Sequence, residues 1–215
     1  PLAPGALVSI FGRRLAEGSS TATTLPLPTE LAGTGVAVGE RRSPLLYSGE
    51  TQVNAQIPYG LAPNTRYQLR VRAGRSWTVT PVLVAEAQPA IFTASQTGRG
   101  QGVIVDLNAR LVAPGNATSA GEAIIIYCAG LGEVDPPVAA GAAAPSSPLS
   151  RTVKEVSVTI GGKEAQVFFS GLAPGFAGLY QVNVFVPEGI APGNEVPVVL
   201  SIAGQRSPPV TIAVR

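Results

Sequence analysis

Histidine is absent from the 215 residues, and cysteine occurs once, at Cys128. Without histidine there is no Ser-His-Asp or Cys-His relay and no histidine-held metal. A single cysteine builds neither a zinc site nor an internal disulfide. Aspartate is limited to Asp106 and Asp135, and with no Asp-x-Asp-x-Asp run a strong calcium loop is not expected, Glu133 and Asp135 beside Pro136-Pro137 reading as a solvated loop with a weak cation site as the alternative. Charged residues make up 13% of the chain against 45% hydrophobic, with a net charge of +2. A surface this poor in charge must be covered by Ser, Thr, Gln, Asn, Gly and Pro. There is no dense basic patch with interleaved aromatics, which argues against nucleic acid as a partner. No apolar run approaches the roughly 20 residues of a membrane span. Gly98-Arg-Gly-Gln-Gly102 leads into a strand and not a helix, so it is no phosphate loop. Spacing leaves paired glutamates for glycoside hydrolysis open, but such clefts also carry tryptophan and histidine, and here there is one Trp. The sequence therefore predicts no enzyme, no cofactor and no metal.

What the chain does have is punctuation. Its 25 Gly and 20 Pro are spread between short apolar runs, too densely for helices of ordinary length. The most informative stretch occurs twice. Thr51-Gln-Val-Asn-Ala-Gln-Ile-Pro-Tyr-Gly60 returns as Tyr180-Gln-Val-Asn-Val-Phe-Val-Pro-Glu-Gly189. Gln52, Asn54, Pro58 and Gly60 match Gln181, Asn183, Pro187 and Gly189. Gly121–Tyr127 likewise matches Gly5–Phe11, which sets Cys128 where Gly12 stood. One structural unit is used twice.

Each copy divides into about seven short strands. Thr65–Ala73 alternates Tyr67, Leu69, Val71 and Ala73 with Arg66, Gln68, Arg70 and Arg72, the period of a half-buried strand. Trp77–Val84 is its hairpin partner. Gly39-Glu-Arg-Arg42 is expected to turn Gly35–Val38 onto Pro44–Tyr47, and Gly161-Gly162 to turn Val156–Ile160 onto Lys163–Phe169. Strand count and spacing predict an all-β chain of two tandem immunoglobulin-like β-sandwich domains, 1–90 and 91–215. The second carries an extra hairpin near 102–112 without a counterpart before the first copy. The apolar join near 86–93 predicts a fairly rigid tandem.

Cys128, inside Ile124–Gly130, is expected to be a small buried hydrophobe. Asn54 and Asn183, mid-strand at matching places, are expected to pin a neighbouring loop backbone. Trp77 is expected in the core, the competing reading being a sugar-stacking platform on an outer hairpin. Phe11, Phe92, Tyr127, Phe168 and Phe169 all stand in core-like runs. Asn116-Ala-Thr118 fits the glycosylation pattern. The arginines of 66–75 are expected on a solvated face, with an acidic polysaccharide as the alternative partner.

Several of these stretches resemble a known group. Pro4–Gly12, Leu25-Pro-Leu-Pro28, Gln52–Pro58, Pro89-Ala-Ile-Phe92, Gly100-Gln-Gly102, Gly130-Leu-Gly132, Pro136-Pro137, Gly141, Gly171–Gly175 and Gly178–Asn183 follow one another as in the Solibacter-type C-terminal domain family of exported acidobacterial proteins. The Pro-Gly…Ile-Phe-Gly start is similar, more loosely, to IPT/TIG domains. The resemblance implies an exported, extracellular or cell-surface module at the end of a longer protein, with no assigned catalytic residues. Cys128 stands where that family has Gly, a departure that touches a turn.

The functional expectation is a non-catalytic structural or adhesion protein that associates with copies of itself, or with other surface proteins, into a fibre or assembly. Pro1, Leu2 and Ala3, an extended apolar end, are the expected strand donors. A start at Pro1 fits a processed subunit and an excised fragment alike. The alternative is a carbohydrate-binding accessory module with Trp77 as the glycan contact.

Overall fold

A computed structural model describes all residues, Pro1 to Arg215. The first domain contains β1 (Leu7–Phe11), β2 (Ser20–Thr21), β3 (Glu30–Leu31), β4 (Thr34–Val38), β5 (Arg41–Ser43), β6 (Leu45–Ser48), β7 (Gln52–Gln56), β8 (Thr65–Ala73) and β9 (Ser76–Val84). They form two sheets, ordered β1-β7-β6-β2 and β3-β4-β8-β9, with β5 beside β4. Alternation sends Val53 and Ala55 of β7 inward to meet Val36 of β4 and Val71 of β8, with Leu15 and Leu45 closing the cluster. A second cluster, around Ala3, Val38, Ile57 and Val84, fills the other end. Each of the larger side chains contributes about 1.5–3 kcal/mol by leaving water.

The second domain contains β10 (Ala90–Ile91), β11 (Ile104–Asp106), β12 (Ala123–Ala129), β13 (Val134–Asp135), β14 (Arg151–Thr152), β15 (Val156–Ile160), β16 (Lys163–Leu172), β17 (Tyr180–Phe185), β18 (Gly193–Ile202), β19 (Gln205–Arg206) and β20 (Val210–Val214). The ten-residue β16 belongs to both layers. Lys163–Ala165 pairs with β15, and Gln166–Leu172 pairs with β17. One continuous core of 26 buried residues lies between the layers. The chain is thus all-β, two immunoglobulin-like sandwiches in tandem.

The repeat holds at the level of register. Ser9 faces Asn54 across β1 and β7, and Ile125, its counterpart, faces Asn183 across β12 and β17. The register shift next to Asn54, between Leu45 and Tyr47, recurs next to Asn183, between Val167 and Phe169.

Several expectations need correction. Val84 ends the first domain and Ala87 already belongs to the second core, so the division lies at 85–87 and not at 90/91, which would cut β10. Gly39-Glu40 turns β4 onto Arg41–Ser43, while Pro44, unable to donate, marks the crossing of the chain into the other sheet as β6. Trp77 is 59% exposed, because its parity on β9 points away from the opposite sheet. Phe11 and Phe168 are exposed for the same kind of reason, the former on the outer parity of an edge strand and the latter at a bulge. Within 102–112, β11 pairs with β12 and Val105 bridges to Leu111. Asp106 pins its turn, accepting the amides of Asn108 and Arg110 at 2.9 and 3.0 Å. The Arg110 amide is the main cause that holds the Asp106 carboxyl at a pKa of about 2.

Candidate functional site

The two domains meet in a built joint. The linker runs against Gly130-Leu131-Gly132, and the Gln88 amide donates to the Gly130 carbonyl at 2.8 Å. Gly130 and Gly132 adopt φ of +80° and +82°. A Cβ on Gly130 would lie 2.0 Å from the Gln88 carbonyl oxygen, and one on Gly132 would lie 2.4 Å from that of Glu86. Only glycine permits this approach of backbone to backbone.

Side chains complete the joint. Tyr180 is fully buried and donates its hydroxyl to the Gly132 carbonyl. Its single proton is used there, so the Tyr59 hydroxyl, 3.1 Å away, donates to the Tyr180 oxygen. Burial is the leading cause that raises both phenols, Tyr59 to about 12 and Tyr180 well above 10. Gln56 lies on the outward parity of β7, yet the second domain buries it. Its Oε1 accepts the Gly141 amide at 2.6 Å, and the Gly141 carbonyl accepts the Leu27 amide at 2.8 Å. Gly60 donates to Glu133 Oε1 at 2.8 Å, and Lys154 pairs with Glu86 at 3.0 Å.

Beside this joint lies an open cleft of about 900 Å³. The outer face of β1 and β7 lines one side with Leu7, Ser9, Phe11, Gln52 and Asn54. Phe92, Tyr127 and Phe176 line the other. Phe11 and Phe176 are 74% and 57% exposed. None of the lining residues carries a charge. Such a surface can hold an uncharged amphipathic ligand by stacking and by hydrogen bonds to its amides and hydroxyls. Three or more metal-binding side chains do not gather anywhere in the chain.

A second surface lies on the outer face of β8 and β9. Arg70 faces Val79 and Arg72 faces Trp77 across the hairpin. Trp77, Arg72, Arg42 and Glu30 line a shallow hollow of about 400 Å³ floored by Gly35 and Ala37. Arg72 is ion-paired with Glu30.

The residues singled out from the sequence divide sharply. Asn54 Oδ1 accepts from Gln52 Nε2 at 2.7 Å, a contact within one strand, and Asn183 Oδ1 is buried without a partner. Neither hydrogen-bonds a loop backbone, since both sit on the outer parity of their strands. Gly60 and Gly189 share left-handed backbone, φ +71° and +68°, which is why a glycine recurs there. Pro58 is buried and Pro187 half-buried, each ending its strand. Leu2 is paired within its own domain, its amide donating to Leu83 and its carbonyl accepting from Ala85, both at 2.8 Å, and Ala3 is fully buried. The Pro1–Ala3 end is thus engaged at home and not free as a donor. Cys128 is buried in the second core, where burial pushes its thiol up. Asn116 donates its amide to Asp106 and Leu111.

Gln56, Tyr59 and Tyr180 were not singled out, yet they build the joint. The signal was present as divergence between the copies. Gln56 corresponds to Phe185, Tyr59 to Glu188 and Tyr180 to Thr51. A position that differs between two otherwise matched strands is where one copy does something the other does not.

No family model and no curated protein matches this chain. Among solved structures, a domain tandem from titin is similar over 100% of this chain at 7% identity and a TM-score of 0.29, and this chain spans 62% of its length. Tandem Ig repeats of Dlar align over 100% of this chain and 91% of theirs, at 10% identity and 0.22. Domains 4 and 5 of the S-layer protein SbsC align over 85% and 77%, at 14% identity and 0.23. Scores this low carry no argument about function, and the fold assignment rests on the strand pairing itself.

Proposed function

We propose that this chain is a non-catalytic structural or adhesion module of an exported bacterial protein, and that it associates with copies of itself. One observation carries the reading. The joint holds the two sandwiches together, while the first sandwich leaves two of its sheet edges, β1 and most of β9, without a neighbouring strand. Rigid β-bodies with free ladder groups are suited to edge-to-edge contact. The resemblance to exported acidobacterial C-terminal domains agrees with a place outside the cell. Sedimentation at rising concentration, with electron microscopy of the same samples, tests the reading. Concentration-dependent assembly is expected; dispersed monomers throughout would refute it.

A second reading has its own support. Trp77 is exposed beside Arg42 and the Arg72–Glu30 pair, an aromatic face flanked by polar groups of the kind that holds a sugar. Glycan-array binding that disappears with Trp77→Ala would establish it. An array without signal would remove it.

A further inference from the structure

The second sandwich is closed along the flank where the first is open, although both follow one template. In the second, β10 and β11 cover the free side of β12. The Tyr127 amide donates to the Val103 carbonyl at 3.2 Å, and the Tyr127 carbonyl accepts the Phe92 amide at 3.1 Å. Phe11 occupies the place of Tyr127, and β1 has β7 as its one partner strand.

The ladder identifies the free groups. Ile57 donates to Ala6 at 2.8 Å and Gly12 donates to Thr51 at 3.0 Å. Bonded pairs in an antiparallel ladder alternate, so Val8 and Ile10 bond to β7. Leu7, Ser9 and Phe11 turn their N–H and C=O outward. Side-chain burial agrees: Ile124 and Ile126 are 0% exposed beneath their covering strands, whereas their counterparts Val8 and Ile10 remain half-buried.

The other edge is guarded. Thr118 bridges to Val214 as Leu2 bridges to Val84, so Thr211 corresponds to Pro81. Thr211 exchanges bonds with Gly100 and Gly102 at 2.8 and 2.9 Å. Pro81 has no N–H for such an exchange, and a proline is a common guard on an edge strand. Between the two edges, β1 offers the unbroken ladder.

We propose that β1 pairs antiparallel with β1 of a second copy about a two-fold axis through Ser9. The proposal deepens the self-association reading by naming its contact. The strand suits itself as a partner. Leu-Val-Ser-Ile-Phe carries no charge. Two-fold pairing sets Ser9 opposite Ser9 and Leu7 opposite Phe11, and these are the residues whose backbone groups face outward. The equivalent edge of β12 already takes an antiparallel strand. The contact joins two four-stranded sheets into one of eight and shelters Val8 and Ile10. It is isologous, so it closes as a dimer, and any longer assembly needs a different surface.

Ser9→Pro tests it. The Ser9 amide points away from β7, so the change removes a donor from the edge and keeps the internal ladder. Ser9→Lys is the second variant: solvated in the monomer, it places like charges face to face in the dimer. Sedimentation should show a wild-type dimer and, for both variants, dimerisation weaker by about tenfold or more. Hydrogen exchange at Leu7, Ser9 and Phe11 should slow in concentrated wild-type protein and recover on dilution. If the wild type assembles and both variants assemble equally well, the β1 contact falls while self-association stands. A wild type that stays monomeric overturns both, and so the two failures are distinguishable. A dimer in which those three amides exchange freely overturns the β1 contact alone.

Discussion

Alkaline pH should weaken the joint between the domains, together with the second core to which Tyr180 also belongs. Tyr59 and Tyr180 form the directed chain that ends on the Gly132 carbonyl. Burial raises Tyr59 from 10.0 to about 12 and moves Tyr180 in the same direction. The sign follows. Below pH 10 both phenols keep their protons, docked or not, and the joint has its full strength. Above it, a phenol released into water ionises while the docked one does not, so docking weakens as pH rises toward the docked value. Moving one pKa from 10 to about 12 corresponds to about 2.7 kcal/mol. Tyr59 retains some contact with water, which brings its share nearer to about 2 kcal/mol. Phenolate absorbance and the denaturant midpoint, followed together across this interval, are the measurements. Some of the five tyrosines should titrate late, in step with falling stability. Tyr59→Phe should flatten that fall. Five tyrosines titrating together near their ordinary value, with stability unchanged, would refute the account, as would an identical fall in the Phe variant.

Other changes have definite expected outcomes. Gly130→Ala should cost about 1–2 kcal/mol from left-handed backbone alone; scattering should also show a changed angle between the domains, since the new methyl meets the linker carbonyl. Trp77→Ala should leave thermal stability within about 0.5 kcal/mol, and native Trp emission should resemble that of a solvated indole. Asn54→Ala loses the Gln52 bond and should cost about 1 kcal/mol, whereas Asn183→Ala, whose oxygen has no partner, should cost less in the same chemical denaturation assay. Cys128 should resist thiol reagents in the native state and react as the second domain unfolds.

The architecture was readable because period-two alternation and a repeated ten-residue stretch are local properties. Thr65–Ala73 shows its two faces in its own letters, and Gly161-Gly162 states its turn. What could not be read depends on which face of a strand meets which layer. Trp77 and Phe11 are apolar residues on outward parities, and composition alone assigns such residues to a core. Pro44–Tyr47 reads in sequence as the partner of Gly35–Val38, because a crossing between sheets and a hairpin begin with the same turn residues. Gln56 is the instructive case at the joint: it sits at the outward parity of its strand, and only the arrival of the second domain's Gly141 loop buries it. Long-range contact of that kind leaves no periodic trace, although the mismatch between the two copies marked the position.

The glycine joint also fixes a shape. Where main chain rests on main chain, without an intervening side chain, the elbow between the sandwiches has almost no slack. A pull on one end is handed to the other as through a welded corner. Of the linker's side chains only Glu86 is tied down, by Lys154, and a single added methyl at Gly130 would reset the bend.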